Sequence, residues 1–223
     1  MMIGVPTTDD PLAEHLVTLK GNPVDGEIIY QTSKKDLTFI VYNLTVQQNE
    51  TEQQVLYTVD KTAFGFLVPA LGQSTRWAYW SCNGYQSLAA KKKLGGIQPM
   101  WRHLQNTGDL HMMYGGGDQL YMDGIVDDNK TSNLIHEGLF SLPLLQEWMV
   151  KPDRERMEQE FTPDFHEQVY EFAVRHYIDQ FIEPEFCTAL ATLPCIMSWD
   201  DHDAWDGYGS YKHLNHCKVI LPL

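Results

Sequence analysis

Three apolar runs of this 223-residue chain end in side chains that bind metals or handle protons. Residues 77–80 lead into Ser81-Cys82-Asn83. Residues 110–114 pass through Gly115-Gly116-Gly117 into Asp118, and residues 194–199 lead into Asp200-Asp201-His202-Asp203. The types on offer are thiolate, carboxylate, phenolate and imidazole, all of them metal ligands, whereas nucleophilic catalysis calls for an activated Ser or Cys beside a base. Metal chemistry is the first expectation. The plain alternative for residues 200–203 is an acidic turn. Four ionisable residues directly after a buried strand, however, repel one another and lose hydration unless cations or donors neutralise them.

Such residues must be brought together by elements that end near one another. In α/β sheets functional groups collect at the carboxyl ends of the strands, so three such ends predict one site. Short β-rich runs at 27–31, 37–45, 54–59, 64–68 and 76–80 predict an antiparallel β unit ending near Ser74, broken by turns at Asn22-Pro23 and Asp25-Gly26. Beyond it, helices alternate with short buried strands, the pattern of an α/β arrangement. The expected domains are therefore 1–73 and 74–223. Pro99 suits the first turn of a helix running through Trp101 and Leu104 to Thr107, with Gly108 as its C-cap. Thr162-Pro163 predicts the start of a longer helix that presents Phe165, Val169, Phe172, Ala173 and Tyr177 on one core face and stops at Glu183-Pro184. Residues 124–160 read as an insertion or loop–helix region.

Composition narrows the function. With 16 Lys+Arg against 30 Asp+Glu the formal charge is −14, which disfavours nucleic acid as a partner. Hydrophobic residues at 43% and aromatics at 12% supply a core. No apolar stretch approaches the length of a membrane span and no signal peptide is visible, so a cytoplasmic address is expected. Cys82, Cys187, Cys195 and Cys217 include no CxxC pair, and reduced thiols are expected. GxGxxG, GxxxxGK[ST], HExxH, GxSxG and EF-hand patterns are absent.

Taken in order, Ser81-Cys82-Asn83, the stretch Gly115-Gly116-Gly117-Asp118-Gln119-Leu120-Tyr121, then Trp199-Asp200-Asp201-His202-Asp203 and Gly207-Tyr208-Gly209-Ser210-Tyr211 resemble the PhoD-like phosphatases of the calcineurin-like metallophosphoesterase superfamily, most of all its fungal-type members. The likeness covers about residues 74 to 211. It implies an α/β fold in which an N-terminal antiparallel β unit is followed by part of a metallophosphoesterase-like αββα sandwich. It also implies hydrolysis of phosphate monoesters or diesters at a dinuclear metal centre of iron plus calcium or another divalent ion. By position, Cys82 and Tyr121 resemble ligands of the iron side, Asp118 the carboxylate shared by both metals, and Asp201 the ligand in the usual Asn place. His202 resembles the histidine that contacts the phosphoryl group. Two metals about 3.5–4 Å apart neutralise phosphoryl oxygens, which would let so acidic a chain hold a phosphate ester. Glycines at 115–117 would let backbone and ligands close around the pair.

The family's pattern runs on past the Gly-Ser-Tyr stretch, while residues 212–223, with His213, His216 and Cys217, do not resemble that continuation. The expectation is a C-terminally truncated chain, and the alternative to a phosphatase is an inactive fragment acting at most as a binding module. A further rival is a single-metal protein using Cys82 and Tyr121 alone.

Overall fold

Along Leu37–Tyr42 every second side chain, Thr38, Ile40 and Tyr42, is buried, the period-two pattern of a strand with one face against a core. The computed structural model describes residues 1–32, 36–85, 88–122, 143–149, 151–160, 162–204 and 207–210. Two units divide the chain. The first comprises 1–78, 107–113 and 188–194, and the second 79–106, 114–187 and 195–223.

The first unit holds two antiparallel sheets. One, of order β1-β5-β4, joins β1 (Met2–Pro6), β5 (Leu37–Tyr42) and β4 (Gly26–Gln31), with Val5, Ile40 and Tyr42 in its core beside Val17. The other, of order β3-β2-β6-β7, joins β3 (Asn22–Val24), β2 (Val17–Leu19), β6 (Gln53–Val59) and β7 (Thr62–Val68). A short helix, α1 (Pro11–Glu14), begins at an Asp10 cap. The antiparallel β unit is as the sequence predicts, but Asn22-Pro23 is strand and not turn. The turn falls at Lys20-Gly21, where φ is +51° and +82°, and Pro23 is tolerated because β3 is an edge strand that has no second neighbour to serve. Glu52 holds this unit's polar centre. Its carboxylate accepts from Arg76 at 2.7 Å and from His111 Nε2 at 2.8 Å, while His111 Nδ1 accepts the Arg76 backbone N–H at 2.9 Å.

A third sheet, of order β8-β9-β10, is formed by β8 (Trp77–Trp80), β9 (Met112–Gly115) and β10 (Cys195–Met197), and the boundary between the units falls within β8 and β9. Its ladder advances in the same direction along each pair of strands. His111 donates to Arg76 and Gly116 to Trp80, and Met113 donates to Pro194 and Ser198 to Gly115, so the strands are parallel. The chain is thus mixed α/β, with antiparallel sheets first. The helices are α2 (Leu88–Leu94), α3 (Gln98–Asn106), α4 (Pro143–Met149), α5 (Asp153–Glu158), α6 (Pro163–Phe181) and α7 (Pro184–Thr192). In the second unit Trp80, Trp101 and Phe186 meet edge-on and tilted, with ring centroids 4.5–5.7 Å apart, and form an aromatic core. Pro184 both stops α6, as predicted, and starts α7, because its fixed φ suits a first helical turn. Of the predicted α6 face, Phe165, Val169 and Phe172 are buried, and Ala173 and Tyr177 are half-buried.

Residues 124–142 and 150 of the expected insertion, and Tyr211, His213, His216 and Cys217 of the C-terminal stretch, lie outside the described residues. Among the described residues no helix is long and apolar enough to cross a membrane, and Cys82, Cys187 and Cys195 are free thiols.

Candidate metal centre

The parallel ladder carries the three loops into register past the ends of the strands. Cys82 N–H donates to Gly117 at 3.1 Å and Asn83 N–H to Asp118 at 2.8 Å. Cys82 and Asp118 themselves lie in the left-handed region, at φ +61° and +55°. Non-glycine residues enter it at a cost, and outside tight turns such strain persists where the surroundings over-determine it. Of the other two described non-glycine residues with positive φ, Lys20 and Asp60, each sits in a hairpin turn of the first unit. Gly117, at φ +105°, lets the β9 loop meet the β10 loop: a Cβ there would run into the Asp200 side chain and lie 2.8 Å from its amide nitrogen.

Asp203 relieves the acidic run. It is 2% exposed, and its Oδ2 accepts from the N–H groups of Asp118 (2.9 Å) and Asp200 (3.0 Å), while its Oδ1 accepts from Gln119 (2.8 Å). Asp200 caps the following 3-10 turn, Asp201–Asp203, accepting from Asp201 N–H at 2.9 Å. The donors demanded by four consecutive ionisable residues are in part backbone amides. Asn83, also fully buried, accepts from Trp101 Nε1 at 2.8 Å and donates to Gln119 O at 3.3 Å, and Gln119 donates to Ser198 O at 2.6 Å. Neither Asn83 nor Asp203 has an assigned role from sequence. Their signal there is only position, directly beside Cys82 and His202, and it cannot tell an inward carboxylate from an outward one.

Asp118, Asp201 and His202 converge: one ligand atom from each lies within 4.8 Å of the others. Asp118 is 5% exposed, and its Oδ1 has no hydrogen-bond partner. Burial pushes its carboxyl upward, against the Cys82 hydrogen bond and the charge of His202, with Asp200 and Asp201 adding to the rise. Asp201 is shifted the other way, chiefly because Gly207 N–H donates to its Oδ2 at 2.7 Å. Neighbouring carboxylates pushed in opposite directions are a mark of a built site. The remaining two predicted residues flank this trio. Cys82 is exposed and its thiol donates to Asp118 Oδ2 at 3.3 Å; the Tyr121 ring lies 4.3 Å from that of His202 and against Gly84, where a Cβ would collide with it.

The donor set fits a cation. A buried carboxylate oxygen without a donor, a second carboxylate whose ionised form is favoured, and an imidazole within ligand distance lack only a positive charge, and the Cys82 thiol stands beside them.

Comparison with known proteins places the chain. A sequence model described as "PhoD related phosphatase" matches residues 46–221. An uncharacterized protein of Saccharomyces cerevisiae is 28% identical over 211 residues, an alignment covering 84% of this chain and 28% of the yeast protein. The chain thus spans little more than a quarter of that relative's length. A solved structure described as "Structure of PhoD" aligns with 93% of this chain and 37% of its own at 12% identity and a TM-score of 0.42.

Proposed function

We propose that this chain, which belongs to the PhoD-related phosphatase family, hydrolyses phosphate esters at the ends of β8, β9 and β10 with the help of bound metal. The observation that carries the reading is the convergence of Asp118, Asp201 and His202 around a buried carboxylate oxygen that no protein donor satisfies.

In this reading Asp118 and Asp201 would hold the metal of a dinuclear centre. Cys82 and Tyr121 would serve an iron ion, and the oxygen-rich side would take calcium or another divalent ion. When bound, such a pair supplies Lewis acidity toward phosphoryl oxygens and a nucleophile from water. The chain's own residues do the rest. Burial raises the Asp118 carboxyl, and a cation beside its unpartnered Oδ1 would favour the ionised form. Asp203, by accepting three backbone N–H groups, fixes the direction in which Asp118 and Asp201 leave their loops. His202, steadied against the Tyr121 ring, donates to a phosphoryl oxygen as negative charge builds on it. Local cation charge also overcomes the repulsion between a phosphate ester and a chain of formal charge −14.

The test is turnover of p-nitrophenyl phosphate and bis(p-nitrophenyl) phosphate by the iron- and calcium-supplied chain. Asp118→Asn should abolish both activities, and His202→Ala should lower kcat by at least about 10²-fold. Undiminished turnover in Asp118→Asn would overturn the assignment.

A further inference from the structure

We propose that α6 is the template that sets the three ligand-bearing loops in register, with His176, Tyr177 and Gln180 as its positioning residues. Each of these side chains donates to a main-chain carbonyl, and each reaches a different loop. Gln180 Nε2 donates to the carbonyl of Asn83, the residue after Cys82, at 2.8 Å. His176 Nε2 bonds the carbonyl of Tyr121 at 2.9 Å, and since a carbonyl can only accept, the ring proton of this bond is on Nε2. Tyr177 Oη donates to the carbonyl of Asp203, the residue after His202, at 3.0 Å.

The spacing i, i+1, i+4 places three donors within about 6 Å along one helix axis, so a single rigid rod addresses all three strand ends. That rod is itself fixed at both ends. Thr162 caps it by accepting from Phe165 N–H at 3.2 Å, and Phe165, Val169 and Phe172 bury its first half. Near its end, Phe181 packs edge-on to Phe186 at 5.2 Å, within the Trp80–Trp101–Phe186 core. Phe172 also stacks on His176 at 5.7 Å and limits the turn of that ring. Loop carbonyls beyond the last strand residue have no ladder partner, so these donors satisfy groups that would otherwise be lost to water or left unpaired. Because the bonds go to main chain, α6 acts on the ligand side chains through the backbone of their loops. Partners of this kind typically tune metal affinity 10–100-fold.

The consequence for metal rests on the metal-binding reading above, and the experiment separates the two. Amide hydrogen exchange at Asn83, Asp118 and Gln119 is measured on the chelated chain, and Mn²⁺ binding by calorimetry, for wild type, Tyr177→Phe, Gln180→Met, the double variant, His176→Ala and His176→Gln. The expected result is several-fold faster exchange at these amides, with little change in Tm. In the double variant Mn²⁺ binding should weaken by about 10–100-fold, and His176→Gln, which restores an N–H donor, should recover what His176→Ala loses. Wild-type exchange together with wild-type Mn²⁺ affinity in the double variant overturns the template. Faster exchange in a chain whose wild type binds no Mn²⁺ supports the template and refutes the metal reading instead.

Discussion

Replacing Asp118 by Asn removes a charge from a position that is 5% exposed and leaves the backbone bonds to Asp203 and Asn83 available. In the metal-free chain the carboxylate is a liability. Its Oδ1 is buried without a partner, and an unsatisfied buried acceptor costs about 1–3 kcal/mol, more when charged. The Cys82 thiol, at 3.3 Å from Oδ2, offsets about 1 kcal/mol of this. The net gain for Asp118→Asn is therefore up to about 2 kcal/mol, or up to about 8 °C in Tm for a chain of this size. The sign follows from the raised carboxyl. Stability that the protonated group confers is present below the unfolded carboxylate range and lost as pH rises through the raised folded value. The wild type should lose stability over that window, and the variant should not. Metal inverts the order: a cation at a hundred times its Kd adds about 2.7 kcal/mol, about 5–11 °C, to the wild type alone. Differential scanning calorimetry across pH, in chelator and in metal, reads both halves. An Asp118→Asn chain less stable than wild type in chelator at neutral pH would refute the argument from the unpartnered oxygen.

Asp203→Asn places an amide NH₂ where a carboxylate accepts three N–H groups, so at least one buried donor loses its partner. A loss of about 2 kcal/mol in urea unfolding is expected, and a neutral effect would remove Asp203 from its role. Gly117→Ala must combine a φ of +105° with a Cβ against Asp200, and should cost about 2 kcal/mol or more and abolish metal uptake; retained uptake would show that the two loops need not meet. Glu52 is lowered to about 2, first by the His111 hydrogen bond and then by Arg76 and Gln73. Its contribution is present above the unfolded carboxylate range and disappears as pH falls from about 5 toward 2, so Glu52→Gln should flatten the acid limb of a Tm-versus-pH curve. A wild-type-minus-variant difference that does not change with pH would contradict this.

What the sequence discloses here follows from physical pattern. β5 and the strands β6 and β7 show through alternation and branched side chains, and α6 through a Thr-Pro start and a 3.6-residue apolar period. The three loops that follow β8, β9 and β10 show because polar side chains directly follow buried runs. Short elements do not: β2 and β3 have three residues each, too few for a period, and Pro23 argues for a turn until the edge position of β3 is known. Periodicity also reads Tyr177 as core, and gives no reason to single out His176 or Gln180, because a contact to the main chain of a loop 55 or 97 residues away leaves no local signature. The same holds for Asp203, one acid of a run in which only three-dimensional structure shows the one turned inward.

The most direct measurement is elemental analysis of the purified, unchelated chain beside its Asp118→Asn variant. The account predicts about two metal atoms per wild-type chain, iron among them, and marked loss of both in the variant. Near-zero metal in the wild type, or equal metal in the two chains, would contradict it.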